Sequence, residues 1–375
     1  MMKIGIVDAD LLGHGTRHPN IALMKISAYK KAAGHTVQLV KSYEELGLDF
    51  TAGFFSPGEV IGLYDEIYLG KVFTFTPIPP GITAGKNVIY GGTGFLPEEC
   101  PDLAYEVEHH RPDYHLYDDY VRQEIARGLK KNRFADYMEY SIGFATRGCF
   151  RKCAFCVNKK YDKVFFHAPV KEFFDPSRKY IYLWDDNILG YEKWRHVFDE
   201  LEEIGRPFQF RQGMDMRLMT EERAAVISRA RYRGDYIFAF DHLKDRELIE
   251  NRLKIWKKYC TGTTKLYILC GFESQDAQDI EGVFERIAIL MRYRCLPYIM
   301  RYDAYKTSEW RGIYINLARW CNQPNFFKKK SFREYCEVNG GGSSTMRYLQ
   351  DFEKKYPRIA RKYFDLKYEA APICF

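Results

Sequence analysis

Cys149, Cys153 and Cys156 stand in the run Thr146-Arg-Gly-Cys-Phe-Arg-Lys-Cys-Ala-Phe-Cys-Val-Asn158. The spacing C-x3-C-x2-C offers three thiolates from one short loop. A cubane iron–sulfur cluster has four irons, each needing a ligand, so three cysteines leave one iron open to a small molecule. An open metal position marks a catalytic rather than a sealed site. Two other readings stay open on the residues alone. The trio supplies three of four zinc ligands, with His167 or another cysteine as the fourth, or Cys153 and Cys156 form a redox pair. Ten cysteines in a chain with no visible signal peptide argue against a disulfide framework.

The flanks narrow the choice. Phe144-Ala-Thr-Arg-Gly-Cys149 reads as a strand, begun at about Tyr140, running into a glycine turn. Beyond the loop, strand and helix alternate. Tyr180–Trp184 is apolar and β-rich. Trp194, Val197, Phe198, Leu201 and Ile204 recur at helical spacing until Gly205 and Pro207 stop them. Phe208–Arg211 is the next strand, and Thr220 caps a helix with Glu221 and Glu222 in its first turn. Tyr236–Phe240, Leu266–Cys270 and Leu296–Met300 complete six strands, with helices at about 245–258 and across the apolar stripe from Ile280 to Met291. Such alternation predicts parallel strands with right-handed crossovers and a site at the strand C-terminal ends. Polar residues gather there: Asp185, Asp186 and Asn187; Gln212, Asp215 and Arg217; Asp241 and His242; Gly271, Phe272, Glu273 and Ser274; Arg301, Tyr302 and Asp303.

The cysteine spacing, with Phe155 just before the last cysteine, resembles the signature of the radical S-adenosylmethionine (radical SAM) superfamily. The resemblance implies a [4Fe–4S] cluster on Cys149, Cys153 and Cys156, with S-adenosylmethionine (SAM) chelating the fourth iron. One electron would cleave the sulfonium, and the 5′-deoxyadenosyl radical would abstract hydrogen from a substrate the sequence does not identify. It further implies a partial (β/α)6 TIM-type barrel over residues 136–306. An external one-electron reductant of flavodoxin or ferredoxin type would serve it. Cys270-Gly271-Phe272-Glu273 looks like the fifth-strand segment beside the SAM adenine. Asp185 falls in the second-strand motif facing the SAM amino group, without the glycine pair many members carry there. Arg217 is assigned to the SAM carboxylate, which a guanidinium grips bidentately, with substrate binding or pairing to Asp215 as the alternatives. No catalytic residue is assigned.

Residues 1–125 read as a Rossmann-like open sheet, with strands at 3–8, 36–40, 66–69 and 87–90 and a helix at about Pro19–Ala33. This segment resembles the cobalamin-binding-like domain of one radical SAM branch, a match strengthened by Gly91-Gly-Thr-Gly-Phe95 and Leu96-Pro-Glu-Glu99. The cobalt-ligating motif D-x-H-x-x-G is absent. Asp8-Ala-Asp-Leu-Leu-Gly-His-Gly15 has its histidine at the wrong offset, so cobalamin is not favoured. Methylthiolating relatives carry further cysteines in this domain; Cys100 alone precedes Cys149, which disfavours that reaction.

Residues 307–375 read as a basic helical extension that covers the barrel mouth or holds part of the substrate. The net charge is +7. From Cys321 to Phe375 eleven basic residues face six acidic ones, including Lys328–Lys330, Arg358, Arg361 and Lys362. Such a face attracts phosphates or acidic substrates, and interleaved Phe326, Phe327, Tyr348, Tyr356 and Tyr363 would stack bases. The simpler reading packs those aromatics inward and leaves the charges solvated. Asn339–Thr345 is Gly/Ser-rich and predicts a hinge, with Thr345 capping the final helix. No run approaches the roughly 20 apolar residues that cross a membrane, and no targeting segment is visible, so the expected location is cytoplasmic. The rival function is a zinc-stabilised nucleic-acid-binding module without catalysis.

Overall fold

Lys3–Asp8 is buried at all but its first residue, as a strand flanked on both faces must be. Ile4 and Ile6 enter one core with Leu23, Tyr117 and Phe134, whereas Val7 enters another with Ile61 and Ile67. The computed structural model describes residues 1–47, 58–95, 102–158 and 160–370. Leu96–Glu99, Cys100 and Lys159 therefore lie outside the described residues. Among those described, the strands are β1 (Lys3–Asp8), β2 (Thr36–Leu39), β3 (Glu66–Gly70), β4 (Val88–Gly91), β5 (Tyr140–Gly143), β6 (Thr146–Arg147), β7 (Phe165–Phe166), β8 (Tyr180–Leu183), β9 (Phe208–Phe210), β10 (Tyr236–Ala239), β11 (Thr264–Cys270) and β12 (Leu296–Arg301). The molecule is mixed α/β, with parallel sheets and many helices. No helix among the described residues is long and apolar enough to cross a membrane.

The chain groups into two compact units, Met1–Gly143 with Ala168–Tyr182, and Phe144–His167 with Leu183–Phe375. In the first, the sheet order is β2-β1-β3-β4 and every pairing is parallel. One helix was expected at about Pro19–Ala33; two form, Ala9–His14 and Ile21–Ala32. Asp8 starts the first straight off β1 by accepting the Leu11 N–H, and Asn20 caps the second through the Leu23 N–H. The unit extends past the expected boundary at residue 125. The reason is a hydrogen-bonded seam. The Tyr114 hydroxyl accepts from the Ile142 N–H and donates to the Phe173 carbonyl at 2.7 Å, and the Arg178 guanidinium donates to the Tyr137 and Tyr114 carbonyls. Residues 168–182 therefore group with the front of the chain.

In the second unit β10, β11 and β12 form a parallel sheet in that order. Parallel bridges join the first residue of β9 to Tyr232, just before β10, and Met214, just after β9, to Phe238 within β10. The helices expected between strands run Trp194–Ile204, Glu221–Arg229, Arg246–Tyr259 and Ala277–Arg292. Thr220 caps the second of these through the Arg223 N–H, as its sequence predicts.

The tail is part of this unit's core. Phe364 is fully buried, with its ring 5.2 Å from those of Phe284 and Phe332. Tyr363 stacks on Phe284, and Tyr356 meets Trp310. Arg333 bridges Glu353 and Asp365. Helix Pro357–Tyr363 packs on helix Ala277–Arg292, so aromatic burial holds the tail against the outer helices. Of the aromatics interleaved with the tail's charges, Phe327 and Tyr363 are buried, whereas Phe326, Tyr348 and Tyr356 are half-buried. Ser343 rather than Thr345 caps helix Ser344–Lys355, accepting the Met346 N–H, and a further helix, Pro357–Tyr363, follows it. Thr345 is buried beside Asn316.

Candidate metal and cofactor site

The cysteine loop is closed at its root by β6 and β7, antiparallel with Thr146 opposite Phe166 and Arg147 opposite Phe165. The His167 N–H donates to the Ala145 carbonyl at 2.9 Å and extends the ladder. Gly148 has φ +89°, and a Cβ there would lie 2.2 Å from the Lys163 carbonyl oxygen. Only glycine allows the two arms to approach so closely in this conformation. Lys152, immediately before Cys153, is itself left-handed at φ +48°. The Cys156 N–H donates to the Cys153 carbonyl and tightens the last turn. All three cysteines are free and half-buried. Among the described residues, no three His, Cys, Asp or Glu side chains form a group that could hold a metal ion.

The end of β8 fixes this loop. Asp185 is fully buried and accepts three hydrogen bonds: from Ala145 N–H at 3.2 Å, Thr146 N–H at 2.6 Å and Thr146 Oγ1 at 2.6 Å. Burial pushes its carboxyl up to about 6, against those donors. Asp186 accepts the Gly148 N–H at 2.7 Å. Asn187 donates from Nδ2 to Cys149 Sγ at 3.5 Å, and the Arg151 N–H approaches the same sulfur at 3.5 Å. Three consecutive residues thus hold successive points of the loop. The carboxylate of Asp185, assigned by the resemblance to a SAM amino group, is spent on the loop root.

Arg217 adopts its alternative partner. Its Nε donates to Asp215 at 2.7 Å, and Asp215 also accepts from Arg151 Nε at 2.8 Å. A longer contact, 3.4 Å, reaches Asp245. Burial is the largest single influence and works against the Arg217 charge, but the Asp215 bond together with the charges of Asp215 and Asp245 raises the guanidinium overall. Arg217 and Asp241 both act electrostatically on Cys153. Asp241 is held above its ordinary range by burial, with Arg286 opposing the shift.

Phe155 lies against His242 and Phe272, with centroids 5.9 and 5.6 Å away, and Phe272 meets Tyr302 edge-on at 4.8 Å. The loop therefore touches the residues that follow β8, β9, β10 and β11, and through Phe272 those that follow β12. Gly271 has φ +70°, and a Cβ there would sit 3.0 Å from Tyr305 Cβ, so the glycine serves a contact within the protein. Its N–H donates to Asp279. Glu273 is exposed and pairs with His242 at 2.9 Å. Arg151 and Asn187 escaped the sequence assignment of roles. Arg151 carried no signal beyond charge, whereas Asn187 was visible only as part of a polar strand end.

In the front unit, Asp10 is buried and accepts from the Val72 and Phe73 N–H groups and from Thr76. Both His14 nitrogens are engaged, Nε2 with Thr76 Oγ1 at 3.1 Å and Nδ1 with the Gly15 carbonyl at 3.0 Å. The ring lies beside Phe73 and Phe75.

No protein-family model matches the chain, and no curated protein matches its sequence. Solved structures do match. The radical S-adenosylmethionine methyltransferase TsrM from Kitasatospora setae, with cobalamin and a [4Fe–4S] cluster bound, aligns over 80% of this chain and 74% of its own at 10% identity and TM-score 0.50. The same enzyme with tryptophan substrate and the SAM analogue aza-SAM aligns over 79% and 72%, again at 10% identity and TM-score 0.50. The cobalamin-dependent SAM radical enzyme OxsB, with aqua-cobalamin and SAM bound, aligns over 97% of this chain and 56% of its own at 12% identity and TM-score 0.35. At the level of its fold, the chain is similar to the radical SAM methyltransferase TsrM.

Proposed function

We propose that the protein is a radical SAM enzyme. Cys149, Cys153 and Cys156 would hold a [4Fe–4S] cluster. Strands β5 and β8–β12 are read as the six strands of the partial barrel, after a Rossmann-like front domain. The observation that carries the reading is the convergence of polar strand ends on one hairpin-closed loop of three half-buried thiols. Three soft donors on one loop suit a cubane, and N–H donors already face Cys149. Bound there, the cluster supplies one-electron cleavage of SAM, which starts hydrogen abstraction from the substrate.

The chain's own residues would orient and shield. Asp185 and Asp186 keep the loop root in register. The Arg151–Asp215–Arg217 network puts cationic groups beside Cys153, where they offset anionic ligands and hold a substrate or SAM carboxylate. Asp241 and Glu273 remain for polar groups of SAM or substrate. Phe155, Phe272 and Tyr302 form an aromatic contact chain beside the loop that would help confine a reactive radical. Electrons come from an external flavodoxin- or ferredoxin-type donor. No step is assigned to cobalamin.

Anaerobic reconstitution of the full chain tests this. The expected result is about four irons per chain, SAM-dependent 5′-deoxyadenosine, and loss of both in Cys153→Ala. One tightly bound zinc with no iron uptake overturns it in favour of the zinc-stabilised module.

A further inference from the structure

Asn187 stands out among the residues around the cysteine loop. It is almost fully buried, at 3% exposure. Its Nδ2 donates to Cys149 Sγ at 3.5 Å, while its Oδ1 is buried with no hydrogen-bond partner. A buried amide with one end unpaired is costly to keep. Fold stability alone would favour an apolar residue, so the sulfur contact is the natural reason for it.

The amide is also held in place. The Gly190 N–H donates to the Asn187 carbonyl at 2.9 Å and turns the chain back beneath the side chain. A Cβ on Gly190 would come within 3.3 Å of Asn187 Nδ2 and 2.9 Å of Phe150 and Val164 side-chain atoms, both on the cysteine loop. Glycine at 190 thus lets the turn press Asn187 against the loop.

Resting on the radical SAM reading above, we propose that Asn187 is a positioning residue that tunes the cluster through Cys149. A donor aimed at a ligating sulfur withdraws electron density from it. It stabilises the reduced, more negative state over the oxidised one and raises the reduction potential. Among the described residues, Asn187 is the side chain that donates to a sulfur of the trio, so the effect enters at one corner. The strand-end Asp-Asp-Asn run thereby divides its work: two carboxylates fix the loop backbone and the amide addresses the metal ligand.

The test is the midpoint potential of the reconstituted cluster in the full chain, followed by the electron paramagnetic resonance signal of the reduced form during redox titration. Wild type, Asn187→Ala and Asn187→Asp are compared at equal iron content. The expected order runs from wild type, through Asn187→Ala, to Asn187→Asp at the most negative potential, because aspartate replaces the donor with an anion. Should Asn187→Ala load poorly, the near-isosteric Asn187→Asp carries the test. Equal potentials in iron-loaded wild type and variants, or a rise in either variant, overturn the role of Asn187 while leaving the radical SAM reading intact. Failure of wild type to load iron overturns both.

Discussion

Asp185 and Thr146 are joined twice, by the backbone N–H and by the hydroxyl of Thr146, each 2.6 Å from the same carboxylate oxygen. The strand-end acid therefore acts as the clasp of the cysteine loop. Removing it strands buried donors at Ala145 and Thr146, at about 1–3 kcal/mol for each left unpaired. Asp185→Ala is expected to unfold at markedly lower urea concentration and to take up less iron in anaerobic reconstitution. Unchanged stability and iron content would show the clasp to be dispensable.

Gly148→Ala tests the loop root from the other arm. A left-handed alanine costs about 1–2 kcal/mol, and its methyl collides with the Lys163 carbonyl, which belongs to the backbone. Global secondary structure by circular dichroism should stay near wild type while iron uptake falls. Normal uptake would mean that the two arms separate freely.

Asp8 provides a pH signature for the front unit. Burial pushes its carboxyl up to about 6 from an ordinary 3.8, despite bonds from Tyr117 and Leu11. Well below pH 3.8 the acid is protonated in both folded and unfolded chains, so its contribution is fully present. As pH rises towards 6 the unfolded chain ionises first, and the contribution is lost. Relative to Asp8→Asn, which keeps a good cap, wild type should lose about 2 kcal/mol of stability between pH 4 and 7. Urea midpoints across that range check the slope, and a constant difference between the two proteins would contradict it.

Phe364→Ala asks whether the tail is core or appendage. The ring is buried among Phe284, Phe332 and Phe352, and its removal is expected to cost about 3–5 kcal/mol. Thermal unfolding should shift down in the transition reporting the second unit. An unmoved transition would mean that the tail detaches without loss.

Local chemistry was legible directly. The cysteine spacing, the six strands after Tyr140, the Thr220 cap and the Gly205 stop all follow from residues within a few positions of one another. Periodicity and capping are short-range effects, so one chain suffices to read them. Pairings between distant segments were not legible. Asp185 meeting Thr146, Arg151 meeting Asp215, and Phe364 entering the core with Phe284 join residues 39, 64 and 80 positions apart. A strand-end acid looks the same in sequence whether it faces a ligand, caps a helix or clasps a loop. The sequence by itself determined where the three cysteines lie and which segments form the larger strands. Only the tertiary structure decided which polar groups are consumed in holding that trio, because hydrogen bonding and burial are settled by neighbours that the fold brings together.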